Sequence, residues 1–212
     1  TRVSSPVAMN KSAQLTLGVH LRDDATFDNY LFPDSAISLR ATLESQQGSE
    51  PCVYLYGEQG SGRSHLLQAA CHQAEVGETL YLPLEEVVNH CATEVLAGME
   101  NLQLLSLDNL DAVVGNPQWE EALFHLINRA RESGCHMLLS ANVAPRQLNL
   151  QLPDLQSRLS WGIVFHLPDY ADDDKLRVLQ FRSQRRGMDL SDEAAAYILS
   201  RAARGMTELM DV

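Results

Sequence analysis

The segment Gly57-Glu58-Gln59-Gly60-Ser61-Gly62-Arg63-Ser64 constrains this chain more than any other. It fits the phosphate-loop pattern G-x-x-x-x-G-K-[ST], with arginine where lysine belongs. Glycines at this spacing let the backbone wrap so that successive N–H groups converge on phosphate oxygens. The helix that follows adds its own free N–H groups and the positive end of its dipole. Such a loop needs a strand before it and a helix after it, and both are legible. Cys52–Tyr56 is a short apolar run that ends in Gly57, and Arg63–Gln73 reads as a helix. Residues 57–64, with His65, are therefore the expected nucleotide-binding loop. Arg63 neutralises the outer phosphates and Ser64 offers its hydroxyl to Mg²⁺.

A regular alternation surrounds this loop. Helical spacing covers Ser35–Ser45 before it. After it come a strand at Thr79–Pro83, a helix at Leu84–Leu96, a strand at Leu102–Leu107 and a helix at Trp119–Glu132. Two more strands follow at His136–Ser140 and Ile163–Leu167. Strands alternating with helices imply right-handed βαβ units, hence an α/β fold with a five-stranded parallel sheet flanked by helices. Ligands in such sheets bind at the carboxyl ends of the strands. Beyond Pro168 only helical patterns remain. One runs from Asp172 to Arg186, a second from Ser191 to Gly205, and a third begins at Met206. The expected organisation is a leader or cloning remnant (1–8), an N-terminal segment (9–25), the α/β nucleotide-binding domain (26–168) and a small helical lid (169–212). The lid is too small to bury a core of its own, so the chain is expected to continue past Val212.

Charge narrows the function. Sixteen basic residues against 28 acidic ones give a net charge of −12, which excludes a broad electrostatic grip on nucleic acid. Residues 1–140 hold 7 basic and 18 acidic side chains, and 141–212 hold 9 and 10. Fourteen of the cations are arginine, the residue suited to phosphate or carboxylate at an interface, so the expected partner is a protein or a nucleotide. Cys52, Cys71, Cys91 and Cys135 have no paired metal spacing and read as reduced thiols. No apolar run approaches the ~20 residues that span a bilayer, and the protein is read as cytosolic with no membrane partner.

Four further positions carry chemistry. Asp108 ends the third strand beside the loop, where a carboxylate holds Mg²⁺ through water; alone it also reads as a solvated turn residue. The next residue is Asn109, which can orient a water but cannot take its proton, and Asp111 lies two positions too far along. Asn142, just past the fourth strand, can touch a γ-phosphate or the attacking water, or serve as an ordinary loop asparagine. Arg158, on a short helix before the fifth strand, is remote in sequence from the loop. It is either a surface salt-bridge residue or a finger that stabilises transition-state charge on a neighbour's nucleotide.

The order of these elements resembles that of the AAA+ ATPases. Thr26-Phe27-Asp28-Asn29-Tyr30 is similar to the segment that opens the AAA+ domain in the DnaA family, and Leu155–Gly162 resembles that family's arginine-finger segment. Arginine within Gly60-Ser61-Gly62-Arg63-Ser64, and the N-terminal Gln14-Leu15-Thr16-Leu17, resemble the Hda branch of DnaA-related regulators. The likeness covers residues 14–212. It implies ADP or ATP in the loop, with Mg²⁺ on Ser64 and Asp108 if bound, and DnaA as partner. Gln14, Leu15 and Leu17 would bind the sliding clamp of DNA polymerase III, associating the protein with the nucleoid. Arg158 would act in trans to stimulate ATP hydrolysis by DnaA, leaving inactive ADP-DnaA and preventing re-initiation. Unlike DnaA, an acidic body is unsuited to a basic DNA-reading domain, so no sequence-specific DNA contact is expected. Thr207 stands where a second sensor arginine belongs, with Arg204 the nearest cation; together with Arg63 and Asn109 this impairs hydrolysis in cis. Self-association through the finger face stays open. So do two other readings: a self-sufficient ATPase of the helicase-loader kind (DnaC or IstB), and an interaction module with a vestigial loop.

Overall fold

A computed structural model of the chain describes residues 21–32, 36–45, 51–74, 78–170 and 172–201. Its centre is a five-stranded sheet, with β1 (Cys52–Tyr56), β2 (Thr79–Pro83), β3 (Leu104–Asp108), β4 (His136–Ala141) and β5 (Ile163–His166) in the order β2-β3-β4-β1-β5. Every pairing is parallel. Helices α1 (Ile37–Ser45) and α2 (Arg63–Gln73) cover one face. Helices α3 (Leu84–Val87), α4 (Ala92–Val95), α5 (Pro117–Ser133) and α6 (Pro153–Leu159) cover the other. The lid supplies α7 (Asp172–Arg185) and α8 (Asp192–Arg201). No helix among the described residues is long and apolar enough to cross a membrane.

Strand parity builds both layers. Val53 and Leu55 of β1, Leu104 of β3 and Leu138 of β4 join the layer under α1 and α2. Tyr54, Leu105, Leu107, Met137 and Leu139 join the layer under α5. A sheet buried on both faces needs mostly apolar strands, which is why β3 and β4 read as nearly continuous hydrophobic runs, interrupted by the buried Ser106 and Ser140. β5 is an edge strand of four residues, and its Ile163 and Val164 remain partly exposed.

The expected helix over 84–96 is two short ones. The first ends at Val87, and the next carbonyl, that of Val88, accepts the indole N–H of the buried Trp119 at 3.0 Å. The chain restarts at Ala92, where the N–H groups of Glu94 and Val95 return to the Cys91 carbonyl. The long helix α5 begins two residues before the expected Trp119. The Asn116 side chain accepts from the N–H groups of Gln118 and Trp119, and Pro117 occupies the first turn. β3 starts at Leu104 rather than Leu102 because a 3-10 turn occupies Met99–Asn101.

Glu120 in the first turn of α5 is wholly buried. One carboxylate oxygen accepts the Gly115 N–H at 2.7 Å, and the other accepts those of Gln151 and Leu152 at 2.8 Å each. Leu152 is the N-cap of α6, so this buried carboxylate fixes where the helix carrying Arg158 starts. Glu120→Ala leaves three backbone donors without an acceptor and should cost about 3 kcal/mol. The melting temperature should fall by roughly 6–12 °C, and Glu120→Gln, which keeps one acceptor oxygen, should lose less. An unchanged melting curve for Glu120→Ala would remove this role.

Candidate functional site

The loop 57–62 leaves β1 and turns into α2 at the carboxyl end of the sheet, where β1 lies between β4 and β5. Gly62 takes φ +91° as the residue that turns the chain into the helix, and a Cβ there would lie 2.6 Å from a Tyr30 ring carbon. Only glycine meets both demands. The Tyr30 hydroxyl in turn reaches the Ser61 carbonyl at 3.4 Å, so the segment opening the domain closes over the loop.

Gln59, Gly60, Gly62, Arg63, Ser64 and His65 line one cavity of about 300 Å³. Glu85 and Asn109 border it from the sheet side, and Val178 and Arg182 from the lid. A second cavity of about 490 Å³ shares Tyr30, Leu31 and Tyr170 with the first and continues between Phe32, Phe165 and Pro168. Glu58 is exposed at the loop tip, and Gly57 and Ser61 are buried within it.

Arg63 is buried, 6% exposed, and its Nη2 donates to the Asn142 side-chain oxygen at 2.7 Å. The loop cation and the polar residue past β4 are thus brought together. Nη1 of the same guanidinium is buried without a partner, as is the Ser61 hydroxyl. A buried N–H donor without an acceptor is costly, and here it belongs to a group suited to phosphate. An anionic ligand in the cradle would satisfy it, so the residues present fit the phosphates of a nucleotide.

The Asp108 carboxylate is 1% exposed and held by three donors. One oxygen accepts the Ser140 hydroxyl and, at 3.1 Å, the Asn109 N–H; the other accepts the Tyr81 hydroxyl at 2.7 Å. Burial, with the Asp108 charge beside it, pushes the Tyr81 hydroxyl's pKa far up, and the same hydroxyl lies within reach of Ser64. Tyr81 therefore stands between the two groups expected to hold Mg²⁺. Ser64 borders the cavity, whereas Asp108 does not. Among the described residues no cluster of histidine, cysteine and carboxylate side chains could hold a metal alone.

Asp111 accepts the Asn142 N–H at 2.8 Å, which makes it a brace for the loop after β4. The carboxylate that does reach the cavity is Glu85, whose Oε2 accepts the Asn109 side-chain N–H. Sequence separation hides this pair, but the parallel register sets Pro83 beside Asp108 and so brings residues 85 and 109 together. Asn109 adopts φ +56° to make the turn, alone among the described non-glycine residues. Arg182 was likewise not legible as a site residue. It ion-pairs with Asp24 at 3.1 Å, and Arg185 donates to Asn29 at 3.1 Å. Val178 and Arg182, one helical turn apart, give the face of α7 that looks into the cavity. Gln14, Leu15, Leu17, Arg204 and Thr207 lie outside the described residues.

Arg158 borders a different cavity, of about 380 Å³, together with Arg131, Trp161 and Cys52. Its guanidinium lies 3.6 Å from the centre of the Trp161 ring. No carboxylate pairs with it among the described residues.

His65 donates from Nε2 to the Thr26 carbonyl at 2.8 Å. Burial holds its imidazole below the ordinary histidine range, opposed by that bond and by Asp24. The unfolded chain takes up a proton near pH 6.5 that the folded one resists. His65 therefore stabilises the fold fully above about pH 6.5, and that contribution is lost as the pH falls below it. Between about pH 7.5 and 5.5 the melting temperature of the wild type should drop more steeply than that of His65→Gln. Parallel slopes would exclude this role.

Residues 21–166 match the family model "Bacterial DnaA ATPase domain", and residues 172–212 match "Hda, lid domain". Domain III of the replication initiation protein DnaA from Thermotoga maritima superposes with a TM-score of 0.76 at 20% identity, covering 89% of this chain and 85% of that one. DnaA from Aquifex aeolicus, bound to AMPPCP, gives 0.75 at 19% identity over 90% of this chain and 64% of that one. A RuvB variant from Thermotoga maritima gives 0.66 at 16% identity, covering 88% and 62%. The fold is thus the AAA+ one, a parallel five-stranded sheet with a C-terminal helical lid, and the chain spans about 64% of the length of the AMPPCP-bound DnaA chains it matches.

Proposed function

The chain belongs to the bacterial DnaA ATPase-domain family, with a lid of the Hda kind, and from that premise we propose that it is a nucleotide-bound regulator that acts on DnaA. The observation that carries this reading is the state of Arg158. In a chain with 28 acidic residues, this half-buried guanidinium has no carboxylate partner among the described residues and borders a cavity separate from the phosphate loop. A cation kept unpaired and away from its own site suits a finger supplied to another protomer.

The chain's own loop takes an adenine nucleotide, a reading that the AMPPCP held by the DnaA of Aquifex aeolicus supports; that it is ADP in the resting state follows from the family resemblance alone. Backbone N–H groups of 57–64 and the free arm of Arg63 hold its phosphates. Tyr30, Leu31, Tyr170 and Val178 offer the less polar wall for the base, and Mg²⁺, if present, sits on Ser64 with Asp108 behind it. When bound, the nucleotide supplies negative charge between sheet and lid. The surrounding residues orient it, and Arg182 and Asp24 join the lid to the N-terminal segment. Gln14, Leu15 and Leu17 hook the protein to the sliding clamp. Arg158 then enters the ATP site of a DnaA protomer and stabilises charge developing on its γ-phosphate. The product is ADP-DnaA, and a second initiation is suppressed.

A second reading draws on Glu85. Its carboxylate, steered by Asn109 at the cavity rim, could polarise a water and make the chain a self-sufficient ATPase of the helicase-loader kind.

Both are tested by following ATP hydrolysis with the chain alone, with DnaA, and with DnaA plus DNA-loaded clamp. The leading reading expects negligible turnover alone and strong stimulation in the complete mixture. Arg158→Ala should lower that stimulation by roughly 10³-fold or more while leaving nucleotide binding intact. Stimulation that survives the substitution overturns the finger, and steady turnover by the isolated chain favours the second reading. Gln14→Ala with Leu17→Ala should abolish retention on immobilised clamp and spare ADP binding; undiminished retention removes the clamp segment from the account.

A further inference from the structure

The end of α6 and the residues after it form a device around Arg158. Leu155 and Leu159 are buried, anchoring the inner side of the helix. The Ser160 hydroxyl donates to the Gln156 carbonyl at 2.9 Å, and the Trp161 N–H donates to the Arg158 carbonyl at 3.1 Å, which closes the helix in a tight turn. Gly162 lies against β1 so closely that a Cβ would come within 2.0 Å of the Cys52 carbonyl oxygen. With the backbone pinned on both sides, the Trp161 indole folds back over the helix it has just left.

There it meets two cations. The Arg158 guanidinium lies over the ring 3.6 Å from its centre, with Phe124 at 5.6 Å on α5. Arg131, from the last turn of α5, approaches the same ring at 4.6 Å. The indole is nonetheless 47% exposed. A guanidinium stacked on an aromatic face is held by its plane, so its in-plane N–H donors stay available. An ion pair would fix the side chain equally well but would use those donors and cancel the charge. Two guanidinium groups gathered at one exposed ring also concentrate positive potential on an otherwise acidic chain, which favours approach to a polyanion.

We propose that Trp161 is the positioning residue of the Arg158 finger, and that Arg131 is a second cation of the same docking face. The target chemistry is a nucleoside triphosphate lying in a partner's phosphate cradle. The proposal rests on the finger reading and adds to it what holds the finger. A mobile arginine must be ordered as the transition state forms, whereas a stacked one is already ordered, so the gain appears in the maximal rate.

The experiment measures stimulated hydrolysis by ATP-loaded DnaA with DNA-loaded clamp, titrating wild type, Arg158→Ala, Trp161→Ala, Trp161→Phe and Arg131→Ala, each checked by thermal melting. Trp161→Ala should lower the maximal rate about tenfold with its half-saturating concentration nearly unchanged. Trp161→Phe, which keeps an aromatic face, should recover most of that loss. Arg131→Ala should raise the half-saturating concentration and weaken its dependence on salt. In the isolated chain, Arg158→Ala should make the exposed tryptophan more accessible to acrylamide, with the buried Trp119 as the unquenched reference. Full stimulation by Arg158→Ala would sink the finger reading itself. Loss with Arg158→Ala but not with Trp161→Ala would overturn the positioning role alone. An effect of Trp161→Ala on half-saturation only, or no recovery with phenylalanine, would make Trp161 a contact residue instead. An Arg131→Ala curve identical to wild type would remove Arg131 from the docking face.

Discussion

The bond between Arg63 and Asn142 is the link on which the site depends. It joins the first residue of α2 to the first residue beyond β4, across strands paired side by side. A lysine here would present one ammonium on a flexible stem. The forked guanidinium divides its labour, with one arm tied to Asn142 and the other buried and still unpaired. Asn142 is itself braced through its N–H by Asp111. The substitution of arginine for lysine thus comes with a receiving partner, and the cradle keeps a preset donor.

The two arginines of the proposed mechanism are held in the same indirect way. Arg63 is fixed by a neutral amide and Arg158 by an aromatic face. In an acidic chain the easier solution would be a carboxylate, which would neutralise the charge the site needs. Two buried carboxylates serve other groups. Glu120 is spent on three backbone N–H groups, and Asp108 on Tyr81, Ser140 and the Asn109 backbone. Each acts as an internal acceptor that holds a loop or strand end in place.

The sheet was legible because its strands are short apolar runs separated by turn residues, and the loop 57–64 was legible because its chemistry demands consecutive residues. What the linear chain concealed depends on pairing or on helix faces. Glu85 joins the cavity only through the β2–β3 register, and Arg182 only through the face that α7 presents. The expected helix over 84–96 is interrupted at Val88, where the Trp119 indole, far along the chain, docks on the backbone carbonyl. Tyr81 could not be foreseen as the cover on Asp108, since nothing in a strand's alternation marks which hydroxyl will meet a carboxylate. Trp161 is visible within the segment Leu155–Gly162, yet its stacking on Arg158 depends on the pinned turn at Gly162.

The short outer strand β5 has a further consequence. A strand at the sheet's margin offers a row of unsatisfied backbone groups that can template pairing between molecules. Here the row is four residues long, bounded by Gly162 on one side and by Pro168 soon after the other. Ile163 and Val164 make it tacky, but its brevity and the flanking proline deprive any growing fibril of register. The β5 margin is therefore a poor seed for intermolecular strand pairing, even where the molecule is concentrated.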